Sequence, residues 1–110
     1  GRRLYVDATA GEALCTRILY NYQGSYLGTH AASVAEDGLR SFISGNQLGN
    51  GGSAAITVGA NGGYAAISGN ALNGAGINTS ASVAATNVVA GNADAGAVVI
   101  AGGDIAGLNT

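Results

Sequence analysis

The chain has 110 residues, the size of one domain, and we treat residues 1–110 as a single domain. Only 9% of the residues are charged and the net charge is −2, with four Arg, six acids and no Lys. A nucleic-acid-binding face needs clustered basic residues, so this composition argues against nucleic acid as a partner. No apolar run approaches the roughly 18 residues of a membrane span, so we expect no membrane span.

The apolar content is large but made of small residues. Hydrophobic residues make up 47% of the chain, many of them Ala, and a further 20 residues are Gly. Ala buries little apolar surface, and Gly adds backbone entropy that folding must overcome. A lone domain of this composition is therefore marginally stable, and burial of surface between identical subunits is one way to stabilise it.

The first 44 residues carry most of the charged and aromatic side chains. Residues 4–9 alternate apolar and polar side chains, which predicts a strand. Residues 13–22 fit both a helix and a strand, and their residue types favour the strand. Residues 34–44 predict a short helix, because Ser33 and Glu36 have the spacing of a capping box ahead of an apolar stripe.

Residues 45–110 form a β region rich in Gly, Ala and Asn, with apolar residues at a period of two. Its strand candidates are residues 55–59, 64–68, 77–90 and 97–108. Asn61 and Gly62 separate the first two candidates, and an Asn-Gly pair between short strands favours a hairpin turn.

These elements predict a mainly β fold, a single small antiparallel sandwich or jelly-roll-like domain with one short helix. There is one alternative. The pattern Ile43-Ser44-Gly45-Asn46 recurs as Ile67-Ser68-Gly69-Asn70 and as Val89-Ala90-Gly91-Asn92, after 24 and then 22 residues. This echo resembles the coils of right-handed parallel β-helices, in which stacked Asn residues line the turns, and it implies a short parallel β-solenoid over residues 43–110. The sandwich is favoured because residues 77–90 lack the turn that each coil needs.

The sequence predicts no enzyme and no cofactor. His30 is the single histidine, so a triad would have to use it. None of its possible partners sits in a nucleophile motif: Cys15, Ser25 and Ser33 as nucleophiles, and Asp7, Glu12, Glu36 and Asp37 as orienting acids. One His and one Cys cannot furnish a zinc site, and turn chemistry accounts for Asn92 and Asp94 better than calcium does, so no metal site is expected.

Unprotected strand edges are the main functional signal. Natural sheets guard their edges with Lys, Pro and inward charges, and this chain has neither Lys nor Pro. We therefore expect a structural subunit of a self-assembling extracellular or cell-surface filament, pilus-like or fibre-like, held by β-strand pairing between copies. Residues 1–12 are expected to form an N-terminal arm that docks on a neighbouring subunit, with Leu4, Tyr5, Val6 and Ala8 at the interface.

An alternative function is a non-enzymatic binding module, such as a fragment of a β-solenoid adhesin or phage fibre that recognises glycan or a surface. Glycan is also expected as a modification, because Asn78-Thr79-Ser80 has the form of a glycosylation sequon with Asn78 as the acceptor.

Overall fold

The computed structural model describes residues 3–6, 17–19, 33–49, 54–82 and 86–110, and these residues contain ten short strands and no helix. The strands are β1 Arg3–Val6, β2 Arg17–Leu19, β3 Ser33–Glu36, β4 Phe42–Ser44, β5 Ala54–Val58, β6 Ala66–Ser68, β7 Gly76–Asn78, β8 Val88–Val89, β9 Val98–Val99 and β10 Ile105–Ala106.

The strands form two sheets in which every pairing is parallel. The odd-numbered strands make one sheet in the order β1-β3-β5-β7-β9, and the even-numbered strands make the other in the order β10-β8-β6-β4-β2. The chain thus passes from one sheet to the other and back, and each return adds one coil to a solenoid. The predicted antiparallel sandwich is wrong, whereas a parallel arrangement agrees with the alternative solenoid and extends it back to β1.

A buried aliphatic stack holds the coils together. In the even sheet Ile18 pairs with Ile43, Ile43 with Ile67, and Ile67 with Val89, and all four side chains are buried. In the odd sheet Ile56 pairs with Ile77 and Ile77 with Val98. The three-residue strands β2, β4, β6 and β7 each bury only their middle residue, because that side chain packs on its equivalents in the neighbouring coils.

The predicted helix over residues 34–44 is wrong. β3 and β4 occupy most of that stretch, and Arg40 N donates to Gly63 O of the next coil at 2.9 Å. A helix would satisfy these backbone groups locally, but the coil-to-coil ladder satisfies them while also burying Ile43. Tertiary packing therefore overrides the capping-box signal. Gly45 does end the segment, with φ of 69°, in a left-handed turn.

The two long strand candidates, residues 77–90 and 97–108, are also wrong as single strands. The first contains β7 and β8 with a turn between them, in which Ser82 N donates to Thr79 O. The second contains β9 and β10, separated by a turn in which Asp104 N donates to Ala101 O. Polar turn residues bend the chain from one sheet to the other, although the residue types on both sides favour strands.

The shorter strand predictions are confirmed. β1 falls within residues 4–9 apart from its first residue, β2 lies within residues 13–22, and β5 and β6 overlap residues 55–59 and 64–68. The Asn61-Gly62 turn is present too, closed by a hydrogen bond from Gly62 N to Gly59 O at 3.0 Å. It joins strands of different sheets and so makes a corner of a coil, not a hairpin.

Candidate assembly surfaces

A ladder of asparagine side chains runs through the solenoid. Asn46, Asn70, Asn92 and Asn109 follow one another at spacings of 24, 22 and 17 residues. The Nδ2 of each donates to the Oδ1 of the next, at 2.9, 2.9 and 2.8 Å. The first three are buried. A carboxamide carries both donor and acceptor, so it can repeat from coil to coil with its hydrogen bonds satisfied.

The backbone beside the ladder explains its geometry. Gly45, Gly69 and Gly91 precede the first three ladder residues, with φ of 69°, 67° and 73°. This left-handed turn suits Gly and directs the following Asn inward. There the side chain serves the main chain as well: Asn70 Nδ2 also donates to Ile43 O at 2.9 Å, and Asn70 Oδ1 accepts from Asn46 N at 3.0 Å. The ladder thus fixes the register of successive coils.

A second polar cluster surrounds Asp104. Its carboxylate accepts from Asn87 N at 2.7 Å, from Asn87 Nδ2 at 3.1 Å and from Ala101 N at 3.1 Å, and also from Thr79 Oγ1. Burial raises the pKa of the Asp104 carboxyl, but the hydrogen bonds from Asn87, Thr79 and Ala101 outweigh it and hold the pKa below its ordinary value. These contacts tie the turn after β9 to the corner of the coil before it.

The catalytic candidates are not brought together in the part of the chain that is described. Asp37 is buried, and its carboxylate accepts from Asn61 N at 2.8 Å and from Asn61 Nδ2 at 2.7 Å. It therefore joins two coil corners. His30 and Cys15 lie outside the described residues, as do the other candidates Asp7, Glu12 and Ser25. Within the described ranges, no group of three or more His, Cys, Asp or Glu side chains is placed to hold a metal ion.

The predicted interface strand lies at the edge of its own sheet. Leu4, Tyr5 and Val6 belong to β1, which pairs in parallel with β3 of the same chain. Since β1 is the first strand in the sheet order, its other edge faces away from β3. Ala8 lies outside the described residues. The interface role of these residues, and the division into an arm and a β region, stay predictions.

At the end opposite to β1 and β2, the odd sheet ends with β9 and the even sheet ends with β10. Val99 and Ile105 on these strands are exposed, and so is Leu108 beyond them. Among residues 95–110 the only ionisable side chain is that of Asp104. Its carboxylate is engaged in the turn, so these two outer strands carry no charged guard.

The outer surface of the even sheet carries an exposed apolar column. Phe42, Val88 and Ile105 are all exposed on it, and they fall in one column that runs across the strands. On the odd sheet, Asn78 is half-buried at the end of β7, where its Oδ1 accepts from Ser80 N at 2.9 Å and Ser80 Oγ at 2.6 Å. This local turn holds the sequon at a strand end, and its glycosylation stays a prediction.

Sequence reasoning found the first three ladder residues through their echo but missed Asn109. Its signal was Ile105-Ala106-Gly107-Leu108-Asn109, which is the same pattern with Leu108 inserted between the Gly and the Asn. The Asp104 and Asn87 contact was also missed. Asn87 stands directly before β8 and Asp104 directly before β10, so the equivalent positions in the two coils were the available signal.

Comparisons of this chain with protein-family models, with curated proteins and with solved structures found no match. Among the described residues, no helix is long and apolar enough to cross a membrane.

Proposed function

We propose that this protein is a structural subunit of an extracellular filament in which copies stack head to tail through the edges of their sheets. The observation that carries this proposal is that β1 and β9 are the opposite edges of one parallel sheet, while β2 and β10 are the opposite edges of the other. A copy placed with its β1 on β9 and its β2 on β10 extends both sheets at once, with the same strand direction.

The edge chemistry supports this contact. In each register pair of a parallel ladder, one residue directs its N–H and C=O to the neighbouring strand and the other directs both to the far side. Val98 is in register with Ile77, and the Ile77 N–H bonds to Ala97 O, so the peptide groups of Val98 face an incoming strand. Each hydrogen bond made there contributes about 0.5–1.5 kcal/mol net. The β9 and β10 strands carry no charged residue and no Pro, and exposed edges of that kind pair with other chains. The strands that would meet them carry one charge each, Arg3 on β1 and Arg17 on β2.

The asparagine ladder supports the same head-to-tail stacking. Asn109 Nδ2 donates to Val89 O at 3.2 Å and to Gly107 O at 3.3 Å. Asn70 and Asn92 make equivalent bonds and also donate to an amide oxygen in the following coil. An incoming coil with an amide oxygen at that position would continue the ladder. Because the surfaces that meet are different, the contact is heterologous and produces an open filament when the rotation does not close.

The test places proline at the edge. Val98→Pro and Ala106→Pro remove N–H groups that face an incoming coil, while the bonds back to β7 and β8 run through neighbouring residues. Val98→Thr and Ala106→Ser, which keep the N–H groups, are the matched controls. We expect filaments by negative-stain microscopy for the unchanged chain and the controls, and monomers by analytical ultracentrifugation for the Pro variants. Concentrated unchanged protein that remains monomeric would refute the proposal.

A second candidate function is a glycan-binding module, and one contact favours it. The Arg40 guanidinium lies 5.1 Å from the centre of the Tyr64 ring on an exposed corner of two adjacent coils. Both residues have positive φ, 59° and 52°, an uncommon backbone for bulky side chains that is often retained at functional sites. Exposed aromatic rings stack on sugars, so Tyr64→Ala is expected to abolish binding on a glycan array. An array that shows no binding to the unchanged chain removes this candidate.

A further inference from the structure

The outer face of the even sheet consists of two parallel columns of side chains with different sizes. The first column, here called the ridge, follows the register pairs of the sheet and contains Phe42, Ala66, Val88 and Ile105. The second column, here called the channel, lies two residues further along each strand and contains Ser44, Ser68, Ala90 and Gly107. Ser44 of β4 is in register with Ser68 of β6, and Gly107 lies against the Ala90 side chain.

The ridge is exposed and uncharged. Phe42 is 51% exposed, Val88 is 42% exposed and Ile105 is 57% exposed. None of the eight ridge and channel residues is ionisable, so charge repulsion between two such faces is confined to Arg17 at one end. Arg17 and Leu19 continue the two columns on β2 at one end of the face. The long Arg side chain can lie along an apolar neighbour with its charged group in water.

The two columns make the face complementary to itself. A two-fold axis parallel to the stacking direction, placed between the columns, sets the ridge of each copy over the channel of the other. Level by level, Phe42 then meets Ser44, and Ile105, among the bulkiest ridge residues, meets Gly107, the smallest channel residue. A two-fold axis along the strands instead sets ridge on ridge. Interdigitated packing of sheets about 10 Å apart therefore needs both copies to point the same way.

We propose that this face is the lateral contact between two filaments of the same polarity, with a second copy of the chain as its occupant. Five strands about 4.8 Å apart give a face about 20 Å tall, which offers roughly 300 Å² of accessible surface per chain. A stable pair of proteins buries about 800 Å² per partner. Two isolated chains therefore do not hold together through this face, whereas successive subunits of stacked filaments add their areas. The inference thus rests on the head-to-tail stacking proposed above.

The experiment measures filament width and the ratio of paired to single filaments by negative-stain microscopy. Phe42→Ser with Val88→Ser removes the two large ridge side chains that do not lie on an end strand of the subunit. Ser68→Phe fills the channel while leaving the ridge intact. The control is Ala60→Ser, which changes an exposed corner residue outside this face. We expect paired filaments for the unchanged chain and the control, and an at least about tenfold lower ratio for both face variants, since each loses apolar burial at every subunit.

The outcomes separate this inference from the proposed function. Unchanged protein that forms only single filaments, or face variants that stay paired, overturns the lateral contact and leaves head-to-tail stacking standing. Absence of any filament overturns both. Stable dimers of the unchanged chain without filaments overturn the inference as well, because they contradict the area argument. Circular dichroism of each variant, compared with the control, verifies that the fold is kept.

Discussion

The asparagine ladder makes a quantitative prediction for Asn70, which lies in its middle. Its Nδ2 donates to Asn92 Oδ1 at 2.9 Å and to Ile43 O at 2.9 Å. Its Oδ1 accepts from Asn46 N at 3.0 Å and from Asn46 Nδ2 at 2.9 Å. Asn70→Ala removes these four bonds and a fifth, from Nδ2 to Ser68 O at 3.2 Å, and leaves the buried Asn46 N–H without this acceptor.

The expected cost follows from those contacts. Each bond contributes about 1 kcal/mol net, and a buried group left unsatisfied adds about 1–3 kcal/mol. Bonds that share one side-chain atom are not additive, so we count one bond for Nδ2 and one for Oδ1, about 2 kcal/mol in all. With the penalty for the unsatisfied group, we expect a loss of roughly 3–5 kcal/mol, a large share of the about 5–15 kcal/mol typical of a domain. Asn78→Ala is the control, since the Asn78 side chain bonds to exposed Ser80 two residues away and its loss is expected to cost under about 1 kcal/mol.

Urea unfolding followed by circular dichroism measures both variants. We expect the midpoint for Asn70→Ala to fall well below that for Asn78→Ala, with an unchanged slope, which reports a change in stability alone. Equal midpoints for the two variants would show that the buried ladder does not stabilise the coils, and the register argument would then be wrong.

Two further predictions concern single positions. Hydrogen bonds hold the pKa of Asp104 below its ordinary value of 3.8, so its contribution to stability is present above that value and is lost as the pH falls through the lower folded pKa. Asp104→Asn is therefore expected to flatten the fall in the urea midpoint between neutral and acid pH. A midpoint that falls as steeply as in the unchanged chain would contradict this assignment. A Cβ on Gly76 would stand 2.4 Å from the Ala97 carbonyl oxygen, whereas one on Gly102 would meet nothing within 4 Å. In thermal unfolding, Gly76→Ala is therefore expected to destabilise the fold by about 2 kcal/mol and Gly102→Ala by under about 0.5 kcal/mol. Equal effects of the two substitutions would show that the backbone at Gly76 has room for a Cβ.

The positions of the short strands could be predicted from the sequence, but their partners could not. Alternation of apolar and polar residues is the same in parallel and antiparallel strands, so residues 55–59 and 64–68 read as a hairpin. The Asn61-Gly62 pair specifies a sharp turn, not the sheet that the next strand joins. For residues 34–44, local helix signals competed with packing between coils, and that packing involves residues more than twenty positions away.

The ladder was partly visible in the sequence because its spacing is nearly regular. Asn46, Asn70 and Asn92 recur after 24 and 22 residues, and the same spacings separate them in the structure. Asn109 follows after only 17 residues, so the last coil breaks the period. The contacts of Asp104 with Asn87 have no local signature, since they depend on two turns that only the stacked coils bring together.

The parallel stacking of the coils also determines how the molecule responds to mechanical load. The ladder and backbone bonds between coils run along the stacking direction, so tension in that direction loads every bond of one layer together. A layer that detaches releases its whole loop of chain, and the 22 residues between Asn70 and Asn92 would extend to about 75 Å. A rod of this kind yields in discrete steps of unequal length, and each step dissipates work before the next layer opens.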